Sequence, residues 1–262
     1  MKTFAEICGH DVRETLKVHR DPIPVAMNAR RDMGERTARL SRGLDLVLGV
    51  PLLILLAPLI GAIAIAILLE RRGPVLYRQE RLGFRGYRFQ MLKFRTMIPG
   101  AERDTGPIWS FRGDRRVTRV GRVLRATHLD ELPQILNVLR GEMSLVGPRP
   151  ERPAIAAWLD TEISEYWHRL DVLPGITGLA QIRAGYDASI GSVRRKLRYD
   201  LFYIRRRNLG LYLFVLAGTA RTVFSGAKWE PRGESRDHGF GEGVPPFAVV
   251  GEPAGRDEAV VS

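Results

Sequence analysis

Asp130 and Glu131 stand side by side at the entry to a short apolar helix. Two carboxylates so placed could engage one phosphate through a shared divalent cation, most naturally magnesium. Leu132, Ile135, Leu136 and Leu139 recur at the spacing of one buried helical face, Pro133 is tolerable only because it falls in the first turn, and Gly141 ends the helix. Backbone N–H groups left unpaired at such an N-terminus, with the positive end of the dipole, favour ionised carboxylates and bound phosphate alike. Neighbouring residues point about 100° apart on a helix, so Asp130 and Glu131 would approach a phosphate from two sides. Acidic residues in a first helical turn commonly do no more than complement the dipole. Their surroundings supply the chemistry.

The nearest cations lie just downstream. Pro148, Pro150 and Pro153 fix the backbone of the loop that carries Arg149 and Arg152, so both arginines would be presented already aimed. Upstream, Lys93 and Arg95 offer a compact charge and a planar fork, both suited to a diphosphate, although a charged strand edge that only prevents sheet association would look the same. His128 reads as a polar helix-entry residue. There is no glycine-rich phosphate loop, no paired C-x-x-C and no His-x-x-x-His spacing.

The elements that must hold these residues begin with a membrane segment. Leu46 to Leu69 contains no charged residue and is long enough to cross about 30 Å of hydrocarbon. Arginines flank it on both sides, from Arg30 to Arg42 and from Arg71 to Arg88, and the rule that keeps basic flanks in the cytoplasm pulls on both ends. A segment that enters and returns, bent at Pro51 or Pro58, satisfies both; a kinked crossing helix is the alternative. Asp45, at the polar edge, could pair with Arg42 or sit among headgroups. The net charge of +12 asks for an anionic partner, and the single cysteine, Cys8, permits no intrachain disulfide.

The remaining pattern predicts a chain of α/β class, mostly helical with a small β-hairpin. Four stretches follow: an N-terminal extension (1–40), the re-entrant membrane segment (41–73), a cytosolic catalytic domain (74–226) and a disordered Gly-, Pro- and charge-rich tail (227–262). Residues 75–79 and 87–94 read as a hairpin around a glycine-bracketed turn, with Tyr87, Phe89 and Met91 on one face. Residues 100–116 read as a loop over the site. Helical spacing runs through 154–170, and 173–182 reads as a turn leading to a strand. The basic, apolar helix of 192–207 has the profile of one lying in an anionic interface, and the apolar run after it is too short to span.

These motifs together carry a resemblance. KFRTM (93–97), LDELPQILNVLRGEMSLVGPRPE (129–151) and LPGITGLAQI (173–182), in that order behind a basic-flanked apolar segment, resemble the bacterial sugar transferases, monotopic phosphoglycosyl transferases of the inner (cytoplasmic) membrane. The similarity covers about residues 41–226. It implies transfer of a sugar 1-phosphate from a UDP-sugar to polyprenyl (undecaprenyl) phosphate with release of UMP, initiating exopolysaccharide or glycan assembly on the cytoplasmic face. It implies further that Asp130 is the nucleophile of a covalent phosphosugar intermediate. Glu131 would be its acidic partner, the two would bind Mg2+, and Lys93, Arg95, Gln134, Arg149 and Arg152 would contact substrate. The stretch from Arg183 to Asn208 resembles an exopolysaccharide-type subset whose members often carry further N-terminal membrane helices and another domain, so the chain is expected to be the catalytic module alone. Leu179 stands where many relatives have Trp, and His128 where they have Ser or Arg. The competing readings are a non-catalytic membrane adaptor in polysaccharide export, and a membrane-tethered nucleic-acid binder that rests on charge alone; no nucleic acid is expected as a partner. Membrane lipids are. Neither the sugar nor the oligomeric state, a homo-oligomer included, follows from these motifs.

Overall fold

The computed structural model describes residues 28–70, 73–101, 114–184 and 190–225. The expectations for 1–27, for most of the 100–116 loop and for the 227–262 tail therefore lie outside the described residues.

The first element, α1 (Asn28–Glu70), is one 43-residue helix with Pro51 and Pro58 inside it. It begins within the stretch read as an extension. It continues as one helix through both prolines, the positions at which a bend is expected. Over Arg36–Glu70 it is long and apolar enough to cross a membrane, and little of it is buried by the rest of the chain. Leu55 and Leu69, for example, are 75% and 82% exposed.

Both ends of the apolar stretch within α1 nevertheless rest on the same body. Just before its start, Asp45 is only 1% exposed. It accepts hydrogen bonds from Ser144 Oγ (3.0 Å), Leu145 N–H (2.8 Å) and Tyr212 OH (2.6 Å). Neither expected role for Asp45 holds. Its expected partner Arg42 instead caps another helix, donating to the carbonyls of Val138 and Leu139. A carboxylate entering apolar surroundings needs donors at once, and the backbone and hydroxyls of the body supply them within fixed geometry. At the other end, Ile63 and Ile67, one turn apart, pack on Phe94 and Leu124. Each such burial contributes roughly 1.5–3 kcal/mol. Glu70 accepts from the N–H groups of Arg119 (2.6 Å) and Val120 (3.2 Å), satisfying the start of the helix they open.

Strands β1 (Leu76–Leu82) and β2 (Arg88–Phe94) form the expected antiparallel hairpin, Leu76 opposite Phe94 and Leu82 opposite Arg88. Phe89 and Met91 face the core, whereas Tyr87 precedes the strand and is exposed. Helix α2 (Arg119–Thr127), capped by Thr118, and α3 (Gln134–Arg140), ended by Gly141 at φ 80°, meet at an elbow. The buried side of α3 is formed by Gln134, Ile135, Asn137 and Val138. The leucines of the expected face are half-buried instead.

A short strand β3 (Ser144–Val146) pairs in parallel with β4 (Gly175–Thr177). Gly147, Gly175 and Gly178 bring backbone against backbone there, leaving no space for a Cβ. Helix α4 (Pro153–Glu162) and a 3-10 turn (Tyr166–Asp171) follow the proline loop. After β4 the chain forms α5 (Leu179–Arg183), where a strand was expected. Two 17-residue helices, α6 (Ile190–Arg206) and α7 (Leu209–Ser225), complete the described chain. One core joins β2, α3, β3, α6 and α7 around Phe89, Val138, Val146, Tyr203 and Val215. A second lies between α4 and α6 around Ile155, Leu159 and Leu197.

Candidate active site

The elbow between α2 and α3 carries the dyad. His128 ends α2 in the left-handed region (φ 59°), its N–H on the Arg125 carbonyl, and Leu129–Glu131 then form a single 3-10 turn. His128, read as a helix-entry residue, ends α2 and leads into the 3-10 turn without a side-chain cap. The dyad does not sit on a bare helix N-terminus: the N–H groups of Glu131 and Leu132 are already bonded to the carbonyls of His128 and Leu129. Anion binding at this place falls to side chains.

Those side chains converge. Lys93, near the end of β2, donates to Glu131 Oε1 at 2.9 Å. Arg149 forks onto Glu131 with both terminal nitrogens, at 3.1 Å to Oε2 and more closely to Oε1. Burial alone would raise the Glu131 pKa, but Arg149 and Lys93 outweigh it and hold the carboxyl well below the usual range. Glu131 stays ionised and occupied. Asp130, 9% exposed, accepts no hydrogen bond among the described residues. Burial pushes its pKa up, Lys93 pulls against this, Glu131 adds to it, and Arg125 and Arg149 also pull down. The pair is therefore split into a clamped carboxylate and a free one.

Arg125 is the cation that the sequence reading missed. It lies on α2 and donates to Thr96 Oγ1 at 2.8 Å, while Gly121, on the same helix, packs against the Thr96 backbone with no room for a side chain. Its position five residues before Asp130 was a signal, but only the elbow brings it back towards the carboxylate. Arg95 goes elsewhere: its N–H continues the hairpin onto the Val75 carbonyl at 2.9 Å, and its guanidinium donates to the Ile67 carbonyl at 3.4 Å, fastening the end of α1. Gln134 is buried one turn beyond the dyad, and neither polar atom of its amide has a partner among the described residues. Arg152 is the N-cap of α4, its N–H on Glu151 Oε1.

Magnesium accepts one or two carboxylates together with phosphate and water. The dyad fits such a site, with Asp130 immediately available. No group of three or more His, Cys, Asp or Glu side chains that could hold a metal exists among the described residues, so a closed all-protein cage is not provided.

The fold and site define a class: a basic body fastened to both ends of a long apolar stretch, with a carboxylate that takes no hydrogen bond among the described residues in the field of Lys93, Arg125 and Arg149. The chain belongs to the bacterial sugar transferase family, whose pattern it matches over residues 36–226. It is 42% identical over 189 residues to the UDP-N-acetylgalactosamine-undecaprenyl-phosphate N-acetylgalactosaminephosphotransferase of Aeromonas hydrophila, covering 72% of this chain and 44% of that protein. It is 45% identical over 188 residues to the UDP-glucose:undecaprenyl-phosphate glucose-1-phosphate transferase of Caulobacter vibrioides, covering 70% and 69%. The exopolysaccharide production protein PSS of Rhizobium leguminosarum bv. phaseoli is 35% identical over 185 residues, covering 69% and 92%. The matched region thus spans less than half of the Aeromonas protein and about two thirds of the Caulobacter one.

Proposed function

We propose that the chain transfers a sugar 1-phosphate from a UDP-sugar to undecaprenyl phosphate, with Asp130 as the nucleophile. The observation that supports this reading most directly is the split dyad: Glu131 is held by Lys93 and Arg149, and Asp130 takes no hydrogen bond among the described residues. A buried, unbonded carboxylate is poorly solvated and therefore a stronger nucleophile than one in water, provided that cations screen its approach to an anionic diphosphate. Lys93, Arg125 and Arg149 act electrostatically on Asp130 in that sense.

The reaction then has two steps. A carboxylate oxygen of Asp130 attacks the phosphorus that bears the sugar, the bond from that phosphorus to the bridging oxygen breaks, and UMP leaves with the electron pair. A phosphate oxygen of the polyprenyl phosphate next attacks the same phosphorus, the bond to Asp130 breaks, and the carboxylate is restored. Arg149, 43% exposed at the rim, is placed to exchange part of its hold on Glu131 for the donor's phosphates. Asp130 and Glu131 are the residues that would hold Mg2+, which would neutralise diphosphate charge. Arg152 and Gln134 flank the site as further substrate contacts.

The anchoring of Arg42 and Asp45 before the apolar stretch and of Glu70 after it supports an arrangement in which that stretch enters and leaves the bacterial inner membrane on the cytoplasmic side. The arginine-rich α6 and apolar α7, with Phe202, Leu213 and Phe214 exposed, then lie at the interface. The lipid acceptor arrives from the bilayer and the donor from the cytosol, and the product is a first lipid-linked sugar for exopolysaccharide assembly. Purified protein given UDP-sugars, polyprenyl phosphate and magnesium is expected to release UMP. Full turnover by Asp130→Asn would remove the nucleophile assignment.

A further inference from the structure

Arg149 can meet a diphosphate in one place only if its own backbone is held, and the loop around it is held unusually well. The carbonyls of Val146, Pro148, Arg149, Pro150 and Glu151 each accept a hydrogen bond, from Tyr203 OH, Gly175 N–H, Arg169, Arg81 and Leu82 N–H. Two of these donors are arginines gripping consecutive carbonyls. Arg81 reaches Pro150 at 3.1 Å and pairs with Glu151 at 3.0 Å. Arg169 reaches the carbonyl of Arg149 itself at 3.0 Å.

Arg169 is itself braced. Its Nε donates to Asp200 Oδ2 of α6 at 2.9 Å, and Nη1 donates to Tyr166 OH at 2.5 Å while the guanidinium lies over the Tyr166 ring. Asp200 and Tyr166 are both buried, and the side chain of Arg169 is 13% exposed. All three edges of the guanidinium fork are used, which fixes its plane. A fixed donor at the Arg149 carbonyl sets where the Arg149 side chain starts. From there it reaches Glu131.

We propose that Arg169 is a positioning residue for sugar-phosphate transfer: braced by Asp200 and Tyr166, it holds the Arg149 backbone so that the Arg149 fork meets Glu131 and the donor's diphosphate in one geometry. The inference rests on the reading of Arg149 as a donor contact. Lysine at position 169 keeps the charge but cannot hold three partners in one plane, so it should loosen Arg149 without emptying the buried site of its cation.

The test is a double-mutant cycle on the full chain in detergent or nanodiscs, with Arg169→Lys, Arg149→Lys and the pair. Arg169→Lys should lower kcat/KM for the UDP-sugar by about tenfold and leave the KM for polyprenyl phosphate unchanged. Once Arg149 is lysine, the same change at 169 should cost little more. Multiplying losses in the double variant would overturn the inference while leaving the donor role of Arg149 intact. Unchanged donor kinetics in Arg149→Lys alone would overturn the underlying reading, and the inference with it. Should Arg169→Lys fail to fold, Tyr166→Phe removes one brace and keeps the packing. A smaller loss in donor kcat/KM that vanishes in the Arg149→Lys background would uphold the proposal, and a loss that persists there would sink it.

Discussion

Glu131 and Asp130 are neighbours in the chain and opposites in bonding: the first takes three hydrogen bonds from Lys93 and Arg149, and the second takes none among the described residues. The 3-10 turn that carries them explains the difference. It swings Glu131 towards β2 and the proline loop while Asp130 remains at the inner side of the elbow, and their electrostatics diverge accordingly.

The Asp130 carboxyl, with its pKa raised first by burial, favours its neutral form in the fold. The associated stability is fully present below the ordinary aspartate value near pH 3.9 and is lost as pH rises through the raised value. Asp130→Asn should therefore melt slightly higher than the parent at pH 7, with the gap closing towards pH 4, while transfer falls by about a thousandfold or more. Thermal melts across pH beside UMP-release rates check both halves. In the parent, donor kcat/KM should climb with pH through an apparent pKa above the usual aspartate range.

Glu131 should behave in the reverse sense. Its pKa is depressed by Arg149 and Lys93 despite burial, so the stability it confers is present above about pH 4.3 and drains away as pH falls below that. Glu131→Gln should cost about 2 kcal/mol at pH 7, limited by the exposure of Arg149. It should also show a shallower loss of stability in acid than the parent. Denaturant melts at pH 7 and pH 3.5 measure the difference.

Asp45 ties α1 to β3 and α7 through Ser144, Leu145 and Tyr212. Asp45→Ala leaves buried donors without an acceptor and should cost roughly 3 kcal/mol. Because β3 leads directly into the Arg149 loop, faster amide exchange at Leu145 is expected to accompany the loss.

The placement of both ends of the apolar stretch on one body predicts the topology of its flanks. In a Cys8→Ser background, single cysteines introduced as Ala38→Cys and Arg78→Cys should both react with an impermeant maleimide from the cytoplasmic side only. Labelling of the two from opposite sides would establish a crossing helix instead.

What could be read from the residues alone was local. The hairpin, the stop at Gly141, the membrane segment and the grouping of Lys93 and Arg149 with the dyad all follow from spacing, turn chemistry and charge. What could not be read depends on partners far along the chain. Asp45 finds its donors at Ser144 and Tyr212, Arg125 approaches Asp130 only through the left-handed residue His128, and Arg95 meets the Ile67 carbonyl of α1, 28 residues earlier in the chain. Arg169 was invisible for the same reason, its brace Asp200 lying on another helix. Helix α1 runs through Pro51 and Pro58 without a break, which the expectation of a proline bend did not foresee.

The central claim is a bond between Asp130 and phosphorus during turnover. Intact-protein mass spectrometry after brief exposure to a panel of UDP-sugars, without lipid acceptor, tests it most directly. The expected result is a mass gain of one sugar phosphate that maps to Asp130, disappears on addition of polyprenyl phosphate and is absent from Asp130→Asn. Lipid-linked product formed at full rate with no such adduct, or by Asp130→Asn itself, would contradict the account.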